Sequence, residues 1–302
     1  MADIRLFSTQ GKNAIELKGS SMEMERSLQQ CMETNLTHLL GVHFLATEYA
    51  TGRTHGGRID TIGIDENGCP VIIEYKRAIN ENVINQGLFY LDWLLDHKGE
   101  FELLVQKKIG QEWQDKIDWS NPRLLCIAGD FTKYDLHAIQ QINRNIELIK
   151  YRKFENDLLL LELVNVTSST QPPPIATQGD KKRGGMRTVS EILESANTET
   201  KDRYEQFRLY IEALGDDVTV KVLKYYIAFK RLKNFVCLFI TAKGEFVLWL
   251  KVDPKTIPLI EGFTRDVTTI GHYGTGDLEV VIKNNADFER AKELIRRSYE
   301  EG

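Results

Sequence analysis

Residues 167–188, TSSTQPPPIATQGDKKRGGMRT, divide the chain. They hold three consecutive prolines, Pro172 to Pro174, three glycines and almost no large apolar side chain. Such a stretch cannot fill a core or sustain a hydrogen-bonded ladder, so it reads as a linker. A single core stops growing at about 250–300 residues. A chain of 302 residues interrupted here is expected to fold as two domains, 1–166 and 199–302, with a short helix from Val189 to Ala196 leading into the second.

Composition excludes several classes. No apolar run approaches the ~18–20 residues of a membrane-spanning helix. The N-terminus, Met1-Ala2-Asp3-Ile4-Arg5, lacks a basic region followed by an apolar stretch, so no secretory signal is expected. Cys31, Cys69, Cys126 and Cys237 are far apart and form no CxxC pair. Neither a disulfide framework nor a zinc site is expected, and reducing cytoplasm is the expected compartment. The formal net charge is −5, unevenly shared. Residues 1–166 carry 18 Lys+Arg against 24 Asp+Glu, a net −6, whereas residues 199–302 carry 17 of each. The acidity argues against a protein that coats nucleic acid indiscriminately, and leaves room for a local basic patch.

In the first domain, Met24, Leu28, Cys31, Met32, Leu36, Leu39 and Leu40 recur at helical spacing, and Ser20 with Glu23 fits a capping box. Strands are expected at 42–50, 57–65 and 69–76. A long helix over 81–97 with Asn80 as N-cap follows, then a helix over 100–107, a buried strand over 123–128, a helix over 134–144 and a hairpin over 146–166. This αβββαβ order predicts an α/β fold, a mixed central sheet flanked by helices, with a smaller α+β C-terminal domain.

The chemistry concentrates in two strands around Asn67-Gly68, a strong hairpin signal. With the three-residue loop Glu66-Asn67-Gly68, Asp65 pairs with Cys69 and Asp60 lies opposite Glu74. Alternate strand residues share a face, so Lys76 joins them, about 6.6 Å along the strand from Glu74. A two-residue loop would slip the register and scatter the group. Two carboxylates at about 5 Å repel unless a cation lies between them. Mg²⁺ or Mn²⁺ suits such a site, with phosphate oxygens completing its coordination. The lysine would offset charge on a phosphoryl group or help position and deprotonate a water. On a helical wheel Glu25 falls within about 40° of the centre of the first helix's apolar face, and Glu33 lies at its edge. Gln86, Tyr90, Trp93 and His97 form a polar-aromatic stripe on the long helix, suited to hold a phosphate backbone or stack on a base.

Asp60, thirteen intervening residues, then Glu74-Tyr75-Lys76 resembles the PD-(D/E)xK nuclease superfamily, as do the preceding helical glutamate and the following Gln86-x-x-x-Tyr90. Residues 20–165 look most like the NucS-type endonucleases and their tRNA-endonuclease-like fold, with a restriction-endonuclease-like αβββαβ core. The resemblance implies metal ligation by Asp60, Glu74 and Glu25, a catalytic Lys76, and Gln86 and Tyr90 matching the motif of the RecB-like branch. Ile59 stands where the motif's proline would be, and that proline is often absent. Arg58 and Arg77, at the ends of the two strands, are further expected nucleic-acid contacts.

In the second domain, residues 219–251 hold seven basic residues against one acid, and seven aromatics, among them Tyr225, Tyr226, Phe229 and Trp249. Lysines can neutralise phosphates and rings can stack on bases; a half-buried sheet with a wet lysine face fits the same pattern. Ile270-Gly271-His272-Tyr273-Gly274-Thr275-Gly276 reads as a constrained loop or a tight turn before a strand over 278–282, and a helix over 287–299 closes the domain. The region resembles an uncharacterised domain of bacterial proteins, sometimes found beside nuclease-like domains. The expected activity is Mg²⁺-dependent endonucleolytic hydrolysis of phosphodiester bonds, in DNA ahead of RNA, without membrane association and as a homodimer or part of a larger assembly. The rival reading is an inactive nuclease fold kept as a nucleic-acid-binding or protein-interaction module.

Overall fold

The structure is a computed structural model of the chain. It describes residues 4–9, 13–22, 24–77, 82–167 and 187–302. Asn80 and most of the expected linker lie outside the described residues. Two compact units divide the chain near residue 170. Among the described residues no helix is long and apolar enough to cross a membrane.

The first unit opens with a small hairpin, β1 (Leu6–Ser8) and β2 (Ile15–Leu17), and a two-residue strand, β3 (Gly19–Ser20). Then come α1 (Glu25–Thr34), α2 (Leu36–Leu40), β4 (Val42–Ala50), α3 (Gly52–His55), β5 (Arg58–Asp65) and β6 (Pro70–Lys76). After them follow α4 (Asn82–Asp96), α5 (Lys98–Ile109), α6 (Gln111–Gln114), β7 (Arg123–Ala128), α7 (Lys133–Gln140), β8 (Asn145–Phe154) and β9 (Leu158–Thr167). The strands form one mixed sheet in the order β3-β8-β7-β6-β5-β4, with β9 also paired to β8. Strands β4, β5 and β6 are an antiparallel meander, while β6, β7 and β8 run parallel.

The central strands read Val71-Ile72-Ile73 and Leu124-Leu125-Cys126-Ile127-Ala128 and are buried throughout, as parallel strands covered on both faces must be. Helix α4 presses Val83, Leu91 and Leu94 into this core. Gly87 lets it approach: a Cβ there would sit 2.5 Å from Leu124 Cδ1. The expected first helix is instead two, broken at Asn35, whose side chain bonds back to the Cys31 carbonyl. Of the expected capping box, Glu23 lies outside the described residues, and Ser20 lies in β3, paired with Lys153; Met24 occupies the N-cap without a side-chain bond.

The second unit contains α8 (Val189–Ser195), α9 (Thr198–Glu212), β10 (Thr219–Val222), β11 (Ile227–Lys230), β12 (Asn234–Ile240), β13 (Phe246–Leu250), β14 (Thr264–Asp266), β15 (Leu278–Ile282) and α10 (Asn285–Glu301). Its antiparallel sheet has the order β10-β11-β12-β13-β15-β14. Thr188 with Glu191, Asn197 and Asn284 cap the three helices. Val189, Phe207, Ile211, Phe288, Ala291 and Ile295 carry those helices onto one face of the sheet.

Candidate active site

Strands β5 and β6 pair Thr61 with Ile73, Ile62 with Ile72, Gly63 with Val71 and Ile64 with Pro70. The same register puts Asp65 opposite Cys69, whose carbonyl accepts the Asp65 N–H at 2.9 Å, and Asp60 opposite Glu74. Gly68, at φ 83°, supplies the left-handed residue the three-residue turn requires. The expected convergence of Asp60 and Glu74 is therefore built by the turn.

At this end side chains take over from the ladder. The Asp60 N–H donates to Glu74 Oε1 at 3.2 Å, and the Tyr75 N–H donates to Asp60 Oδ2 at 3.0 Å. Glu74 is fully buried, and its Oε2 has no hydrogen-bond partner. Burial first, then the Asp60 carboxylate, push Glu74 up to about 9. Burial also raises Asp60, against the opposing pull of the Tyr75 N–H and Lys76. At neutral pH the pair shares too much negative charge to ionise fully.

Lys76 shares the face, but its ammonium is bonded to Glu25 Oε1 at 3.1 Å. Glu25 Oε2 accepts the Arg77 N–H at 3.2 Å. Burial opposes the charge on Lys76, yet the bond to Glu25, with Asp60 and Glu74 nearby, outweighs it and raises the lysine above its ordinary value. Lys76 is thus a fixed cation, which suits charge neutralisation rather than deprotonation of a water. Each Glu25 oxygen thus accepts one hydrogen bond, from Lys76 and from the Arg77 N–H. Among the described residues no three His, Cys, Asp or Glu side chains cluster as a ligand set.

Helix α1 lies behind the acids through residues spaced i, i+4, i+8. Below Glu25, buried Gln29 donates to the Asp60 carbonyl at 2.8 Å and to Thr47 Oγ1 and Glu33 Oε1, each at 3.1 Å. Thr61 Oγ1 also donates to Glu33 Oε1, at 2.6 Å. Glu33 is therefore a strut for β5. Gln29 went unnoticed in the sequence, although the polar stripe Glu25-Gln29-Glu33 on an apolar helix face is visible there. Glu48 was also missed. It is exposed, left-handed at φ 48°, and lies in β4 between the pairs Thr47–Thr61 and Tyr49–Ile59, hence across from Asp60. Its carboxylate adds to the upward pressure on Asp60 and meets Arg58 at 3.6 Å.

The other expected contacts divide. Arg58 and Arg77 are exposed beside the acids, and Gln86 is half-buried on α4. Tyr90 is a correction: it is only 7 % exposed, packs in the core, and its hydroxyl accepts the Arg58 N–H at 3.2 Å. It positions the start of β5. Trp93 is likewise core, stacked on His97 with ring centroids 4.7 Å apart. The apolar stripe of α4 is wider than the sequence reading allowed. In the second unit Phe229 faces the helices and Tyr226 is buried.

Residues 189–302 match the family described as domain of unknown function DUF5655. An uncharacterised protein of Haemophilus influenzae strain Rd is 28% identical over 306 residues, covering 98% of this chain and 99% of that protein. A crystal structure of a repair endonuclease from Pyrococcus abyssi is similar at 20% identity and a TM-score of 0.28, over 43% of this chain and 47% of that one. An EndoMS–dsDNA2 complex is similar at 18% identity and a TM-score of 0.25, over 47% of this chain and 48% of that one. The chain spans about half the length of the solved structures it matches.

Proposed function

We propose that the first unit hydrolyses phosphodiester bonds of nucleic acid with the help of a divalent cation, Mg²⁺ or Mn²⁺, held by Asp60 and Glu74. The observation behind this reading is the fully buried, unpartnered Glu74 Oε2 facing a second carboxylate. A buried acceptor of this kind is costly unless a cation or proton meets it. The donor set fits a hard cation, which prefers one or two carboxylates and leaves positions for water and phosphate oxygens. When bound, the ion would supply Lewis-acid polarisation of the phosphoryl group and a more acidic water.

The chain's own residues do the rest. Lys76, kept as an ammonium by Glu25, offsets negative charge gathering on the phosphoryl oxygens. Gln29 and Tyr90 fix the backbone on either side of Asp60, through the Asp60 carbonyl and the Arg58 N–H. Arg58 and Arg77, at the rim, would attract the phosphates flanking the scissile bond, and Arg58 would exchange Glu48 for one of them. DNA is the proposed substrate ahead of RNA, and the second unit would position it.

Purified full-length chain is expected to cut single- or double-stranded DNA with Mn²⁺ or Mg²⁺, and Asp60→Asn is expected to lower the rate by at least about 10³-fold while leaving the fold intact. Mn²⁺ binding, followed by calorimetry in two buffers of different ionisation enthalpy, should release a proton near pH 7, because Glu74 holds one there. Cleavage that survives Asp60→Asn would sink the assignment. Oligonucleotide binding without metal binding or cleavage would favour the rival reading of a scaffold.

A further inference from the structure

The six-stranded sheet of the second unit has two unlike faces. Val236, Leu238, Ile240, Phe246 and Leu248 meet the helices. The pairing registers settle the opposite face, where Lys221, Ala228, Cys237, Trp249, Glu279 and Arg265 form one row across all six strands. Helices α8, α9 and α10 all serve the first face. The second is overlain by the glycine-rich loop between β14 and β15. There the Thr275 N–H reaches Cys237 Sγ at 3.3 Å, and a Cβ at Gly274 would be 2.4 Å from Cys237 Cβ. Glycine at 274 is what allows the loop to lie flat on the strands.

The loop brings two rings to three others. Tyr273 lies 5.2 Å from Tyr225 and 5.9 Å from Phe239, stacked on the latter at 12°. Phe239 lies 6.1 Å from Trp249, and Trp249 stacks on His272 at 5.0 Å and 16°. Five rings thus form a continuous series on a face that carries none of the unit's helices among the described residues. Trp249 is buried, Tyr225, Phe239 and His272 are half-buried, and Tyr273 is 45 % exposed. Lys224 is exposed, and its Nζ sits 5.5 Å from the Tyr225 ring.

We propose that this face binds single-stranded nucleic acid, with unpaired bases stacking along Tyr225, Tyr273 and Phe239 and a phosphate meeting Lys224. The exposed ammonium beside the rings calls for an anion, and the rings call for flat, apolar partners. A single strand supplies both on one chain, whereas a duplex hides its base faces and an acidic peptide matches only the lysine. The binding is independent of the carboxylate site of the first unit, so it can be measured with that site's chemistry switched off.

The test is fluorescence anisotropy of a labelled twenty-nucleotide oligo(dT) with the full chain, in EDTA and about 50 mM salt. Wild type should bind it more tightly than a duplex of equal length. Tyr273→Leu should weaken binding about tenfold, and Tyr273→Phe, which keeps the ring, should restore it. Lys224→Ala should lower the slope of log affinity against log salt by about 0.7. Thermal melting checks that the variants fold; if Tyr273→Leu does not, the exposed Lys224→Ala and the single-strand preference decide. No binding, equal affinity for the duplex, loss of binding in Tyr273→Phe, or an unchanged salt slope in Lys224→Ala would each overturn the proposal.

Discussion

The β5–β6 hairpin buries acids at both ends, and the two ends treat them differently. At the turn end, Asp65 and the β8 residue Glu147 close on Arg123, which is only 2 % exposed. The guanidinium donates to Asp65 Oδ2 at 2.7 Å and to both Glu147 oxygens at 2.8 and 2.7 Å, and Asp65 Oδ1 takes the Cys69 N–H at 2.9 Å. Every carboxylate oxygen has a donor, and the charge is met by a cation the fold carries. At the open end, Asp60 and Glu74 receive one backbone N–H each, the available ammonium is bonded to Glu25, and Glu74 Oε2 has nothing. One sheet thus carries acids whose every oxygen meets a donor of the fold, and acids of which one buried oxygen meets none.

The largest expected effect breaks the turn end. Arg123→Gln strands two buried carboxylates, and the loss of a single partner from such a cluster costs about 3–5 kcal/mol. Urea unfolding followed by circular dichroism should show that loss. A change below about 1 kcal/mol would mean that water reaches Asp65 and Glu147, and the contrast between the two ends would fail.

The open end should respond with the opposite sign. Folding lifts Glu74 from its ordinary 4.5 to about 9, so between those values the folded chain holds a proton that the unfolded chain has released. Stability contributed by this group therefore falls as pH rises through that window. Glu74→Gln removes the dependence, and its amide can donate to Asp60 while its carbonyl still accepts the Asp60 N–H. The variant should be more stable than wild type at pH 8.5, and the difference should shrink as pH falls toward 5. Melting temperatures measured at both pH values check this. A Glu74→Gln that destabilises at every pH would make the open end structural after all.

These two ends were not equally visible in the sequence. The Asp60–Glu74 pair follows from counting once the three-residue loop Glu66-Asn67-Gly68 is taken over a two-residue one, because the strand period of two then carries the register back to the acids. Arg123 lies 58 residues from Asp65 and 24 from Glu147, and no local pattern joins charges that meet only when β5, β7 and β8 are laid side by side. Glu48 was hidden for a related reason: it meets Asp60 only across the pairing of β4 with β5, whose register shifts between Phe44 and Ala46, and period-two reading takes that pairing as uniform. The bond between Lys76 and Glu25 needed the starting point of α1, and the expected Ser20–Glu23 cap placed that start too early.

The smallest effect sharpens the comparison by asking what holds the open end in place, since its acids cannot. Tyr90 reaches from α4 to accept the Arg58 N–H, and its hydroxyl sits where a Cβ at Gly57 would be only 2.6 Å away. Tyr90→Phe removes one hydrogen bond and leaves the ring in the core. Arg58 is exposed, so water can replace the lost acceptor, and the expected cost is about 0.5–1 kcal/mol. Oligonucleotide affinity should stay unchanged while the rate of cleavage falls a few-fold, because the strand bearing Asp60 loses a fixed point. If affinity falls instead and stability does not, Tyr90 would be a contact to the substrate. The open end would then be framed by Gln29 and Glu25 alone, both from α1, so the positioning of its acids would rest on one helix rather than two.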